Sequence, residues 1–209
     1  MSIRLSLLIT AAVLALGFAP SPAAAQSSLL HLDVPPIPAN LEVPAGNEVY
    51  LHGRATGTQN YVCLSTSTGM RWQFLGPQAT LYVSVFGDLQ QQIATHFLSP
   101  NPAENGLPRA TWLQSFDSSQ VWARAIASST DPNFVEPNAI PWLLLQSVGG
   151  ATGPTGGAML SRTTYVQRLN TAGGIAPATG CSASTDVVGA IALVPYTTDY
   201  FFYRASRRR

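Results

Sequence analysis

The sequence predicts a single all-β domain, an antiparallel β-sandwich or barrel-like fold with one disulfide and little helix. Three observations carry this. Short runs of alternating apolar and polar residues recur with turn residues between them, which suggests about ten strands. Charged residues make up only 10% of the chain, among many Ser, Thr, Gly and Pro, as in a compact extracellular β protein. There are just two cysteines, Cys63 and Cys181.

The N-terminal end sets the compartment. Residues 1–4 are basic, residues 5–18 are apolar, and Ala23-Ala24-Ala25 precedes Gln26. That is the pattern of a signal peptide over residues 1–25. The apolar run falls short of the roughly 20 residues of a membrane span. The mature protein is therefore expected to be exported, to the periplasm or the exterior, with no membrane span. Residues 26–46 carry Pro35, Pro36, Pro38 and Pro44, which cannot donate to a sheet, and form an extended lead-in. A single β domain is expected over 47–204, followed by a basic tail over 205–209 that ends in Arg207-Arg208-Arg209.

Within the domain, Val49, Leu51 and Gly53 alternate with Tyr50, His52 and Arg54. A turn over residues 55–58, at Gly57, leads into a second strand over 59–65, and the two read as a hairpin. Residues 71–74 form a short strand that Gly76-Pro77 ends. Residues 80–86 are rich in β-favouring types and are closed by Gly87-Asp88. Residues 89–96 are the one stretch where a helical turn fits, and residues 99–108, with three prolines, form a loop. The clearest hairpin joins 111–116 to 121–126 through Asp117-Ser118-Ser119-Gln120. Asp131-Pro132 and Glu136-Pro137 bracket another loop. Residues 140–145 are nearly all apolar, as in a strand buried on both faces or a bulged one. Residues 149–157 hold five glycines and read as a flexible loop. They lack the Lys-Ser of a phosphate cradle. A strand over 163–169, a loop over 170–180 that delivers Cys181, and strands over 187–194 and 200–203 complete the fold.

Two cysteines in an exported chain read as one disulfide, Cys63–Cys181. On the chain-entropy model so long a loop contributes roughly 4.7 kcal/mol. They lack the C-x-x-C spacing of a redox pair. No lysine occurs anywhere, which excludes Walker-type phosphate loops, Schiff-base catalysis and Ser-Lys nucleophile pairs. The formal net charge is +1 and no basic stripe runs along the chain, so nucleic acid is not an expected partner.

Taken together, several stretches are familiar. They are Gly57-Thr58-Gln59-Asn60-Tyr61-Val62-Cys63, Gly76-Pro77, His96-Phe97, Trp112 and Asp117-Ser118-Ser119. Ile140-Pro141-Trp142-Leu143-Leu144-Leu145, Gln167-Arg168-Leu169-Asn170-Thr171-Ala172-Gly173-Gly174, Val194-Pro195-Tyr196 and Tyr200-Phe201-Phe202-Tyr203 follow in order. The set resembles a family of secreted bacterial and fungal proteins known only as domain of unknown function 3455, over nearly the whole mature chain. The resemblance brings no catalytic residues with it. Some fungal members carry a dehydrogenase name, but no G-x-G-x-x-G lies between a strand and a helix here.

No reaction signature stands out. The histidines outside the leader are His31, His52 and His96, and no H-x-H or H-E-x-x-H spacing marks a metal site. No G-x-S-x-G elbow is present, and no carboxylate pair is singled out for glycoside hydrolysis. No cofactor and no metal are expected. The ligand-binding candidates are Trp112 and Trp122, as stacking faces on one hairpin, with His96 and Arg168. Arg54, Arg124 and Arg168 have no acid at a pairing offset, so cross-strand salt bridges are the expected use, with an anionic ligand as the alternative. The leading expectation is a non-catalytic binding or surface-associated domain, with a glycan or envelope component as partner. A secreted hydrolase with an unrecognised site and a purely structural envelope component are the alternatives.

Overall fold

The computed structural model describes residues 32–85, 87, 89–182 and 188–207, and within them eight strands pair antiparallel in chain order and close into a barrel. They are β1 (Asn47–Thr66), β2 (Gly69–Val85), β3 (Leu89–Asn101), β4 (Leu107–Gln114), β5 (Gln120–Ser129), β6 (Trp142–Ala151), β7 (Thr163–Gly173) and β8 (Ile191–Ala205). Closure comes from β8 on β1, in register from Asn47↔Ala205 to Val62↔Ile191. The all-β expectation holds, and the architecture is a barrel rather than a sandwich. Closing the sheet removes every edge strand. The expected signal peptide, His31, Asp88 and the last two arginines lie outside the described residues.

Eight long strands replace ten short ones because several presumed turn residues lie inside strands. Gly57 is one. A Cβ there would stand 2.1 Å from the Gln78 carbonyl oxygen and 2.5 Å from Ala79 Cα, so this glycine lets β1 and β2 approach closely. Gly76 (φ +150°) sits at a bulge, where the register steps from Asn60↔Gly76 to Tyr61↔Phe74. The extra residue bends β2 without ending it. Residues 89–96 are strand, not helix, since β3 pairs with β2 and β4 along that stretch. In place of separate strands over 187–194 and 200–203, one strand, β8, runs unbroken from Ile191 to Ala205, residues 188–189 are turn, and Val187 lies outside the described residues.

The glycine-rich stretch over 149–157 is not a free loop. Gly149 and Gly150 belong to β6, and a Cβ at Gly153 would lie 1.6 Å from the Asp117 carbonyl oxygen. The β6–β7 connection over 152–162 folds back as a plug at one end of the barrel and inserts Leu160, which is fully buried. Asp117 and Ser119 of the β4–β5 turn hold it there. Met159 N donates to Asp117 Oδ2 and Leu160 N donates to Ser119 Oγ, each at 2.9 Å.

Two apolar layers follow from the alternation. The inward set includes Leu81, Trp112, Val121, Leu145, Val166 and Phe202. The outward set, Trp142, Leu144, Leu169, Phe201 and Tyr203, is covered by Val34, Ile37, Leu41 and Val43 of the proline-rich lead-in. Gln167 Nε2 donates to the Leu41 carbonyl at 2.7 Å and pins that strap in place. Each buried large side chain contributes about 1.5–3 kcal/mol. Cys63 and Cys181 are bonded, with Cα atoms 5.5 Å apart. The bond ties β1 to the connection before β8.

Candidate functional site

The plug closes one end of the barrel. At the other end, near the β3–β4 and β5–β6 connections, a cavity of about 400 Å³ opens among inward-facing residues. Register builds it. His96 pairs with Trp112 across β3 and β4, Leu143 with Arg168 across β6 and β7, and Arg168 with Tyr200 across β7 and β8. Cross-strand partners share a face, so these side chains converge on the interior. Gln59 of β1 joins them.

Trp112 forms the floor. Its ring is fully buried, stacked on His96 at 4.3 Å between centroids and 10° between planes. Tyr200 and Phe202 meet it edge-on at 5.2 and 5.8 Å, and such pairs stabilise by about 0.5–1.5 kcal/mol beyond their buried area. His96 Nδ1 lies 2.9 Å from the Thr111 carbonyl oxygen. A carbonyl only accepts, so Nδ1 carries the proton and Nε2 is the acceptor. Burial pushes the imidazole pKa down to about 3, and the positive charge of Arg168 acts in the same direction. The ring is neutral at ordinary pH.

Arg168 is the charge at the centre. Its Nε and Nη2 donate to the Pro141 carbonyl at 3.2 and 2.7 Å. That fixes the guanidinium but does not neutralise it. Among the described residues the ion pairs are His52–Asp199, Arg54–Asp199, Arg109–Glu104 and Arg204–Glu48, and Arg168 belongs to none of them. The guanidinium field reaches the phenols of Tyr61, Tyr196 and Tyr200, whose pKa values burial raises and Arg168 partly lowers. Arg109 and Arg124 also line the cavity, and among the described residues no carboxylate does. Glu104 meets Arg109 through two hydrogen bonds of 2.6 and 2.7 Å. Arg124 has only a 3.5 Å contact with the Gln146 amide oxygen.

Two lining residues carry buried donors that make no hydrogen bond of ordinary geometry among the described residues, Gln59 Nε2 and Trp112 Nε1, the Gln59 amide acting only weakly on the Tyr196 phenol. An unmet buried donor costs about 1–3 kcal/mol, and native folds tolerate few of them. The cavity therefore combines an uncompensated cation with two unmet donors. Its remaining wall is apolar and includes Leu98, Pro108, Leu143 and Leu145.

Three of the four sequence candidates meet here: His96, Trp112 and Arg168. Trp122 does not. Trp112 pairs with Val121, and Thr111 with Trp122, so the two indoles leave opposite faces of the hairpin. Trp122 is only 7% exposed and its Nε1 donates to Ser99 Oγ at 2.9 Å. An exposed platform of two tryptophans is therefore absent, because both rings are buried. Gln59, Tyr200, Arg109 and Leu143 were not singled out in the sequence. Gln59 had a signal, as a polar residue on the inward phase of the alternation from Gly57.

A larger groove of about 780 Å³ runs outside the barrel beside Arg54, Asn170 and Asp199. Its one half-buried carboxylate is paired, while Trp142 Nε1 on its lining is buried without a partner. Asp199 takes His52 Nε2 at 3.0 Å, Asn170 Nδ2 at 2.8 Å and Arg54 Nε at 3.7 Å. These partners hold its carboxyl below the usual range, against the upward push of burial. The groove thus holds a paired carboxylate and one unmet donor, whereas the mouth cavity holds an unpaired guanidinium and two unmet donors. Among the described residues no helix is long and apolar enough to cross a membrane, and no group of His, Cys, Asp and Glu is arranged to hold a metal.

No curated protein and no solved structure matches the chain. A family model does match, over residues 44–204, from just before β1 almost to the end of β8. The chain belongs to the family described as protein of unknown function DUF3455.

Proposed function

We propose that this barrel is a binding module of an exported protein, and that it holds a small molecule in its open mouth. One observation carries the reading: Arg168, with no acid to pair with, shares a cavity with the unmet donors of Gln59 and Trp112. A ligand that brings acceptors would satisfy all three groups. The volume falls within the range of roughly 300–1,000 Å³ of small-molecule sites, which combine an apolar lining with a few polar groups. Export is supported by the disulfide.

Catalysis is the less favoured role. A general base works best with a pKa near the operating pH, and His96 is held far below it. Among the described residues no Ser, Thr or Cys lines the cavity, and burial raises the pKa of the lining Tyr200 phenol, which disfavours it as a nucleophile. The geometry suits holding rather than cleaving.

A thermal-shift screen of small acids, sugars, amines and neutral aromatics tests the reading, run beside Ala125→Trp. Ala125 lines the mouth and is exposed, so a large ring there blocks entry without entering the core. The expected result is a class of compounds that raises the melting temperature of the wild type and leaves the blocked variant unchanged. No stabilising compound, or equal stabilisation of both proteins, would refute a mouth site.

A further inference from the structure

Resting on that reading, we propose that the ligand is a small organic acid. Its carboxylate would meet Arg168, Gln59 and Trp112, and its flat apolar body would lie among Leu98, Pro108 and Leu143. The donor set argues for the head group. The unmet groups, guanidinium, amide N–H and indole N–H, are all donors, and a carboxylate is acceptor-only with about four lone-pair sites. The charge argues the same way. Among the described residues three arginines and no carboxylate line the cavity, Arg109 is neutralised by Glu104, and Arg168 is in no ion pair. A guanidinium fork matches a planar carboxylate.

The walls argue for the body. A sugar ring carries hydroxyls around its whole edge, and burying these against Leu98, Pro108 and Leu143 would leave them unpaired. An aromatic or short aliphatic skeleton has no such cost. Size sets the limit. At about 30 Å³ per water in the liquid, a cavity of this volume replaces roughly a dozen waters, the scale of a one-ring acid. The neutral Nε2 of His96 adds an acceptor at the floor, which would suit an acid bearing one hydroxyl donor.

Calorimetric titration of benzoate, phenylacetate, benzamide, galacturonate and inorganic phosphate tests this. The proteins are wild type, Ala125→Trp, Arg168→Met, Arg168→Lys and Gln59→Met, each checked for folding by circular dichroism. An aromatic acid should bind the wild type at least tenfold tighter than benzamide. Arg168→Met should lose at least tenfold, and Arg168→Lys less, since it keeps the charge without the fork. Should Arg168→Met not fold, Arg168→Lys and Gln59→Met carry the test, the first expected to weaken the acid several-fold and the second roughly tenfold. Benzamide binding as well as benzoate, galacturonate or phosphate binding better, or affinity indifferent to Arg168 and Gln59 would overturn the acid. A mouth site would survive those results provided Ala125→Trp still blocked binding. No binding in any arm would remove both.

Discussion

Gln59→Met separates what the fold needs from what the site needs. Gln59 is 2% exposed and its Nε2 makes no hydrogen bond of ordinary geometry, acting only weakly on the Tyr196 phenol, so its amide adds little to the stability of the unliganded barrel. Methionine keeps the γ-carbon and the overall volume. The γ-carbon matters because Gly174 lies so close that a Cβ there would stand 3.0 Å from it. Removing an unmet donor recovers part of its cost of about 1–3 kcal/mol, less whatever bonding cavity water supplies. The net expectation is a gain of about 1 kcal/mol, which raises the melting temperature by about 2–4 °C for a domain of this size. Urea unfolding should show a higher midpoint at unchanged slope. In the same variant, losing one hydrogen bond to a charged ligand, worth about 1.5 kcal/mol, should weaken binding roughly tenfold. The protein would become more stable and bind less well. A loss of 1 kcal/mol or more would refute the reasoning, since it would place the Gln59 amide among the bonds that hold the barrel together.

Three further outcomes follow from the geometry. The folded pKa of His96, about 3, lies below its ordinary value of 6.5, so the unfolded chain takes up the proton first. Stability should be full above about pH 6.5 and fall toward pH 3 by as much as about 1.4 kcal/mol per pH unit. His96→Asn, which retains a donor toward Thr111, should flatten that dependence in urea titrations between pH 4 and about 7. Replacing Cys63 and Cys181 together by alanine should cost roughly 2–5 kcal/mol, read as a lower unfolding midpoint with the barrel spectrum retained. Gly57→Ala should cost about 3 kcal/mol or more, because the new Cβ meets β2 backbone that cannot rotate away. Near-normal stability would show that β1 and β2 can separate there.

Much of the fold was legible because alternation and disulfide logic are local or binary signals. The β4–β5 hairpin shows its Asp117-Ser118-Ser119 turn in the sequence, and two cysteines permit one bond. Gly57 and Gly76 misled because the sequence records that a residue lacks a Cβ but not why. Here the reasons are close strand approach and a bulge, which depend on the partner strand. The plug at residues 152–162 was hidden for the same reason, since Gly153 and Gly157 are set by contact with Asp117, distant in the chain. At the site, His96, Trp112 and Arg168 stood out by type. Their convergence depends on register across β3, β4, β7 and β8. Trp122 misled because alternation fixes that it faces away from Trp112, but not that both faces of the hairpin are covered.

The most direct test of the mouth site is the set of indole N–H signals in a ¹H–¹⁵N spectrum recorded during titration with an aromatic acid. Trp72 Nε1 donates to the Thr179 carbonyl and Trp122 Nε1 to Ser99 Oγ, so both are already engaged. Trp142 Nε1 is buried without a partner beside the outer groove, and Trp112 Nε1 is buried without a partner at the cavity floor. Binding in the mouth predicts a saturable downfield shift of the Trp112 indole proton as it gains an acceptor, with the other three signals nearly still. A shift confined to Trp142, or saturable binding that leaves Trp112 unmoved, would place the site elsewhere and contradict the mouth.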